Sequence, residues 1–110
     1  MCSRTRFESN DKPSITHTFD AGAAWENLAL EAKRRELVAH GMEGFDYPRA
    51  KTELSIPDDF EVHAIIAIGR RVPAENLAEK YRAIEHPNSR RSLKEIVFEG
   101  AFGRSVPGLP

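Results

Sequence analysis

The chain has 110 residues, which suits one domain, since a single hydrophobic core is commonly built from about 100 to 150 residues. Its 16 Lys and Arg nearly balance 17 Asp and Glu, and the formal net charge of −1 excludes a global attraction to nucleic acid. Hydrophobic residues make up 40% and charged residues 30%, proportions that are typical of a folded chain rather than of a disordered tail.

Targeting and redox signals are sparse. No apolar run approaches the roughly 20 residues that a membrane-spanning helix needs. The start "MCSRTRFESNDK" lacks the apolar segment of a secretory signal. The single cysteine, Cys2, excludes an internal disulfide framework. We therefore expect a cytoplasmic protein without a membrane partner.

The first predicted element is a long helix that begins at Asp20, a residue type suited to cap a helix N-terminus. Apolar residues then recur at helical spacing, at Ala21, Ala24, Trp25, Leu28 and Ala32. The charged cluster "KRRE" at residues 33–36 interrupts this face, and residues 37–39 resume it. Because glycine adopts left-handed backbone easily, Gly41 is the predicted C-cap.

Next come a short helix and a buried strand. "FDYPRAKTEL" predicts a helix with Asp46 as its cap, Pro48 in its first turn and Pro57 beyond its end. "FEVHAIIAIG" is almost continuously apolar over residues 62–68. That run predicts one central strand, buried on both faces.

The last third of the chain predicts a helix, a polar loop and a strand. "VPAENLAEKYRAIEHP" carries Leu77, Tyr81 and Ile84 on one helical stripe, and "HPNSRRS" is a loop. "LKEIVFEG" alternates as a strand does, and "GRSVPGLP" is predicted to be a loose tail. The predicted order is α, α, β, α, β, an α+β chain.

Familiar catalytic and metal motifs lack the spacing that they need. No two of the four histidines lie within one helical turn, so no metal site is predicted. None of the serines stands in a G-x-S-x-G context. Gly69 ends a predicted strand, but the further glycines of a dinucleotide-binding loop do not follow it. We predict no catalytic side chain.

Two stretches remain as candidate binding segments. "GMEGFD" offers consecutive backbone amides with little side-chain obstruction, which suits a flat ligand lying against the main chain. "NSRRS" places Arg90 and Arg91 beside two hydroxyl groups, a donor set that suits a phosphate monoester. The ordinary alternatives are a helix exit for the first and a solvated basic turn for the second.

Several segments, in this order, resemble the second half of flavin-dependent nitroreductases. They are "FESNDKPSITHTFDAGAAWENLALEA", "AHGMEGFD", "LSIPDDFEVHAIIAIG" and "PNSRRSLKEIVFEGAFG". The resemblance implies an incomplete nitroreductase-like fold with a lead-in at residues 1–19, a core match at 20–103 and a loose tail at 104–110. The family's first half, which grips the flavin phosphate and ribityl chain, has no counterpart in this chain.

The resemblance also implies a function and its residues. FMN lies at a homodimer interface in this family, and the matching backbone here is that of Gly41, Met42, Glu43 and Gly44. The family's basic segment holds the FMN phosphate, which carries over to Arg90 and Arg91. The implied reaction is two-electron transfer from NAD(P)H through FMN to a nitroaromatic or quinone acceptor.

Two other readings stay open at this point. A truncated, non-catalytic remnant would fold or bind flavin only with a partner chain. A nucleic-acid contact at the basic loop is disfavoured, because the net charge is near zero and no aromatic residues alternate with Arg90 and Arg91.

Overall fold

In a computed structural model, which describes residues 1–109, the chain divides into two compact units, Met1–Arg71 and Val72–Pro110. The first unit contains strands β1 to β4 and helices α1 and α2: β1 Cys2–Arg4, α1 His17–Arg34, β2 Val38–Met42, α2 Tyr47–Glu53, β3 Phe60–Val62 and β4 Ile65–Gly69. The second unit contains two 3₁₀ turns, Ala74–Asn76 and Leu93–Glu95, with the short helix α3, Glu79–Arg82, between them. Helices and strands are thus mixed along the chain. None of the helices within residues 1–109 combines the length and apolar character that crossing a bilayer demands.

The strands of the first unit form two antiparallel ladders. β1 pairs with β3, which places Ser3 opposite Glu61. β2 pairs with β4, which places Gly41 opposite Ile66. The prediction of one strand over residues 62–68 is therefore wrong, since this stretch contributes to one strand of each ladder.

The break between β3 and β4 lies at His63 and Ala64. Both of their amides donate to the carbonyl oxygen of Met1, at 2.9 and 3.4 Å. The predicted burial on both faces is also wrong: Ile65 is 41% exposed and Ile68 is 50% exposed. Within the described residues each ladder has only two strands, so β3 and β4 are both edge strands and the predicted central position is wrong as well.

Helix α1 packs on β1 and β2 through small residues. Ala21 and Ala32 are buried, and Trp25 and Leu28 are half-buried, as the predicted stripe requires, whereas Ala24 of the same stripe is exposed. The start of the helix differs from the prediction, because α1 begins at His17. Asp20 lies in its first turn, where a carboxylate still interacts favourably with the helix dipole.

Helix α1 ends in a left-handed cap formed by a residue other than glycine. Glu36 has a φ of 60°. Its amide donates to the Lys33 carbonyl oxygen at 3.0 Å, and the Leu37 amide donates to that of Ala32 at 2.9 Å. These two bonds constitute a Schellman motif. The predicted cap at Gly41 is wrong, because the chain has left the helix by Glu36 and Gly41 lies in β2.

The charged residues near this end pair with Glu31. Its carboxylate accepts hydrogen bonds from Arg34 Nε at 2.7 Å and from Arg35 Nε at 2.6 Å. These bonds, from Arg34 first and then Arg35, lower the pKa of Glu31 to about 2. The basic residues that interrupt the apolar face are thus exposed and paired along the helix surface.

The structure of helix α2 confirms the cap and the first-turn proline that its sequence predicts. The Asp46 side chain accepts from the Arg49 amide at 3.0 Å, and Pro48 lies in the first turn. The helix ends before Pro57, through a second left-handed residue, Ser55, with a φ of 51°.

The second unit has less regular structure than predicted. The helix predicted over residues 72–87 is reduced to one 3₁₀ turn and α3, and Tyr81 and Ile84 on its stripe are 50% and 68% exposed. Short helices depend on packing of an apolar face, and this face is not buried. The predicted final strand is replaced by the 3₁₀ turn Leu93–Glu95 and an isolated bridge between Phe98 and Ser105. The predicted tail lies in part outside the described residues, because Pro110 is not described.

We expect Glu36→Gly to raise the free energy of unfolding by about 1 kcal/mol, because a Cβ at a left-handed residue costs roughly 1 to 2 kcal/mol. Urea denaturation followed by far-UV circular dichroism measures the change. Glu36→Ala is the matched control, since it removes the same carboxylate and keeps the Cβ. Equal stabilisation by both variants would attribute the effect to charge and contradict the backbone explanation.

Candidate functional site

The segment Gly41, Met42, Glu43 and Gly44 leaves the sheet at the end of β2. Gly41 and Met42 pair with β4, and the next two residues lie beyond the ladder. Positive φ angles among the described glycines occur at Gly100, Gly103 and Gly108. Neither Gly41 nor Gly44 is therefore required by a left-handed backbone, and the helix-exit interpretation of this segment is wrong.

The two glycines have different surroundings. A Cβ built on Gly41 would lie 3.5 Å from a ring carbon of Trp25 and within 3.9 Å of two others. A Cβ on Gly44 would meet no heavy atom within 4 Å. Gly41 therefore lets α1 approach β2 closely, whereas Gly44 borders open space.

Two backbone donors in this segment are available to a ligand. The Phe45 amide donates to the Glu43 carbonyl oxygen at 2.8 Å, which makes a tight turn. Within the described residues, the amides of Glu43 and Gly44 donate to no other group. Both residues are exposed. The turn thus presents consecutive N–H groups without side-chain obstruction at Gly44.

Arg90 and Arg91 belong to the second unit, in the loop that precedes the turn Leu93–Glu95. Both side chains are exposed. The Arg90 guanidinium donates to the Asn88 side-chain oxygen. Ser92 Oγ accepts from the Lys94 amide at 3.3 Å and caps the turn, and its own O–H proton is still available to a ligand. The predicted donor set therefore keeps the two guanidinium groups and the hydroxyl groups of Ser89 and Ser92.

Sequence reasoning missed a polar cluster between β1, α1 and the end of β3. Ser3 Oγ lies 2.8 Å from His17 Nδ1 and 2.6 Å from His63 Nε2. A hydroxyl has one proton, so Ser3 donates to one imidazole and accepts from the other. His17 Nε2 lies 3.6 Å from a carboxylate oxygen of Glu61. Hydrogen bonds thus join Ser3 to both imidazoles, and the exposed carboxylate of Glu61 lies within ion-pair distance of His17.

A pocket of about 220 Å³ lies beside this cluster, between the first half of α1 and strands β2 and β4. Trp25, Gly22 and Gly41 contribute to its lining, and so does His63. Its surface is mostly apolar. Within the described residues, no three His, Cys, Asp or Glu side chains are grouped so as to hold a metal ion.

Comparisons with known proteins show similarity to a curated protein and to a solved structure. No protein-family model matches the chain. It is 35% identical over 91 residues to an uncharacterized 15.4 kDa protein in the ask 5′ region of Mycolicibacterium smegmatis, across 79% of this chain and 59% of that protein. Its fold matches the crystal structure of an oxidoreductase containing FMN, with a TM-score of 0.82 and 39% identity. That match covers 94% of this chain and 52% of the other chain, so this chain spans about half the length of that protein.

We expect Ser3→Ala to lower the free energy of unfolding by about 1 to 2 kcal/mol, because it removes two partly buried hydrogen bonds that are worth roughly 0.5 to 1.5 kcal/mol each. Thermal or urea unfolding measures the loss. Ser9→Ala is the control, because Ser9 lies exposed in a turn. If both variants lost the same stability, Ser3 would not be linking the two imidazoles.

Proposed function

We propose that this chain forms the C-terminal part of an FMN-dependent oxidoreductase of the nitroreductase type. The proposed reaction takes two electrons from NAD(P)H and delivers them to a nitroaromatic or quinone acceptor. The observation that carries the proposal is the match of 94% of the chain, at 39% identity, to an oxidoreductase containing FMN. When bound, FMN supplies the redox chemistry, while the protein supplies position and electrostatics.

The turn after β2 fits the edge of a flavin ring. Its two amides, at Glu43 and Gly44, have no partner among the described residues, and N–H groups stabilise negative charge that develops on a bound ring. Gly44 leaves open space where another residue would place a Cβ. We propose that the backbone of Gly41 and Met42, at the end of β2, also lies against the flavin ring.

We propose that Arg90 binds the phosphate of FMN. Its guanidinium is held by the Asn88 side chain, which reduces the conformational entropy that it would lose on binding an anion. The exposed guanidinium of its neighbour Arg91 has no such partner within the described residues. We therefore assign Arg91 to the rim of the site, and we assign no general acid to this chain.

The alternative function is a non-catalytic remnant that binds flavin only with a partner chain. The observation that favours it is the small core: among the described residues, the buried ones are Ala21, Ala32 and Ser14, and no large side chain is fully buried. Absorbance of the purified protein in the flavin band distinguishes a chain that binds FMN by itself from a remnant that needs a partner. A colourless chain that takes up no added FMN would favour the remnant.

We expect Arg90→Ala to weaken FMN binding by about tenfold to a hundredfold, because a charge-assisted hydrogen bond contributes roughly 1.5 to 3 kcal/mol. Riboflavin lacks the phosphate, so its affinity should hardly change. Titration of each flavin, followed by quenching of its fluorescence, measures both affinities.

Two further variants serve as controls for that titration. Arg91→Ala should weaken FMN binding much less than Arg90→Ala does, because an exposed charge at the rim contributes little to binding. Gly44→Val should weaken FMN and riboflavin alike, since it obstructs the ring rather than the phosphate. Equal losses of both flavins with Arg90→Ala would mean that Arg90 acts on folding or on the ring, and its assignment to the phosphate would be withdrawn.

We propose that the chain associates as a homodimer. The face of α1 opposite its packed stripe carries large apolar side chains, with Phe19 77% exposed and Leu30 59% exposed. These residues are eleven positions apart, three turns of one helix face. Ile15, just before the helix, is 92% exposed. Apolar patches of this kind are rare on monomers and are characteristic of contact surfaces.

If this face is the dimer contact, Phe19→Glu should shift the protein toward the monomer. Static light scattering over a range of concentrations measures the mass. The matched control is Leu54→Glu, because Leu54 is 67% exposed but lies after α2, away from this face. A wild-type chain that stays monomeric at high concentration would contradict the proposal.

A further inference from the structure

We propose that the first unit carries a binding site for a single uncharged aromatic ring, in the pocket between α1, β2 and β4. The site goes beyond the proposed flavin contacts, with which it shares only Gly41. All of its lining residues belong to the unit Met1–Arg71. Its occupancy therefore depends on neither Arg90 nor a bound flavin.

The size of the pocket follows from two glycines. Gly22 faces the cavity from α1, and a Cβ built there would meet no heavy atom within 4 Å. On the opposite wall, a Cβ on Gly41 would fall 3.5 Å from the Trp25 ring. Side chains at these positions would occupy the space that now measures about 220 Å³. An apolar cavity of about 150 Å³ is enough to bind benzene, so this pocket accommodates one ring with a small substituent.

The chemistry of the lining favours an uncharged aromatic molecule. Trp25 supplies an aromatic surface, and pairs of aromatic rings attract each other beyond the burial of apolar area. Ala21 and Ile66 add aliphatic contacts. Among the described lining residues, none has an Asp, Glu, Lys or Arg side chain, and the Met1 ammonium group already donates to the Ala64 carbonyl oxygen at 2.6 Å.

The pocket also has a polar side that tolerates a hydroxyl group. Thr18 and His63 belong to its lining. His63 Nε2 is fixed by Ser3 at 2.6 Å, which leaves the other ring nitrogen for a ligand. Phenol combines a ring of the right size with one hydroxyl group and is uncharged at neutral pH, and it is therefore the probe.

Fluorescence of Trp25 reports binding directly, because it is the only tryptophan in the 110 residues. Phenol is titrated into the full chain without flavin, with excitation at the red edge of the indole band. We expect a saturable change at millimolar phenol or below. Gly22→Leu should weaken the apparent affinity at least tenfold, because the new side chain enters the pocket.

The control is Ala23→Leu, one position further along α1. Ala23 is exposed and does not line the pocket, so this variant adds the same side chain outside the site and should bind phenol within about twofold of the wild type. Both variants replace a small residue by a good helix former, so α1 should persist.

Three outcomes would overturn the inference. Quenching that rises linearly with phenol and never saturates would indicate collisions only. Equal weakening by Gly22→Leu and Ala23→Leu would place the ring elsewhere on α1. A Trp25 signal that depends on protein concentration and not on phenol would show that a second copy fills the pocket. Since no flavin is present, none of these results depends on whether FMN binds.

Discussion

The close contact between Trp25 of α1 and Gly41 of β2 holds the first unit together. The contact leaves room for little more than a Cβ on the strand, because a Cβ built at Gly41 would lie 3.5 Å from the indole ring, an ordinary van der Waals distance. It also sets the separation of helix and strands, within which Ala21 and Ala32 are buried and the pocket remains open. The same strand ends just before Glu43 and Gly44, which lie at the surface. One packing contact therefore positions both the pocket and the segment that follows β2.

The amount of buried surface limits what this contact can stabilise. Burying a large apolar side chain is worth roughly 1.5 to 3 kcal/mol, but the buried residues of the core are alanines, while Phe19, Leu30 and Ile68 stay at the surface. This chain spans about half of the FMN-containing protein that it matches. Exposed apolar groups of this kind are what the proposed association between copies of the chain would cover.

Local signals in the sequence predicted local structure well. Asp46 and Pro48 identified α2 because capping and first-turn preferences act over a few residues, and the helical spacing of Trp25 and Leu28 identified the packed face of α1. The end of α1 was missed because Glu36 occupies a backbone position that usually indicates glycine.

Interactions between distant residues could not be predicted in this way. Strand β1 has three residues, and only its pairing with β3 makes it a strand. The hydrogen bonds of Ser3 span 14 and 60 positions of sequence, which no short motif records. Of the candidate site, the sequence identified the segment 41–44 as backbone without obstruction, but not its place at the end of a strand. Its contact with flavin stays a prediction.

The junction at His63 and Ala64 restricts how the length of this chain can vary. Two residues separate a strand of one ladder from a strand of the other, and both amides are tied to Met1. Since side chains alternate along extended backbone, inserting a single residue here would turn one of the two strands over and separate His63 from Ser3. Insertions and deletions among homologous chains should therefore avoid this position and collect in the exposed turn at residues 8–11.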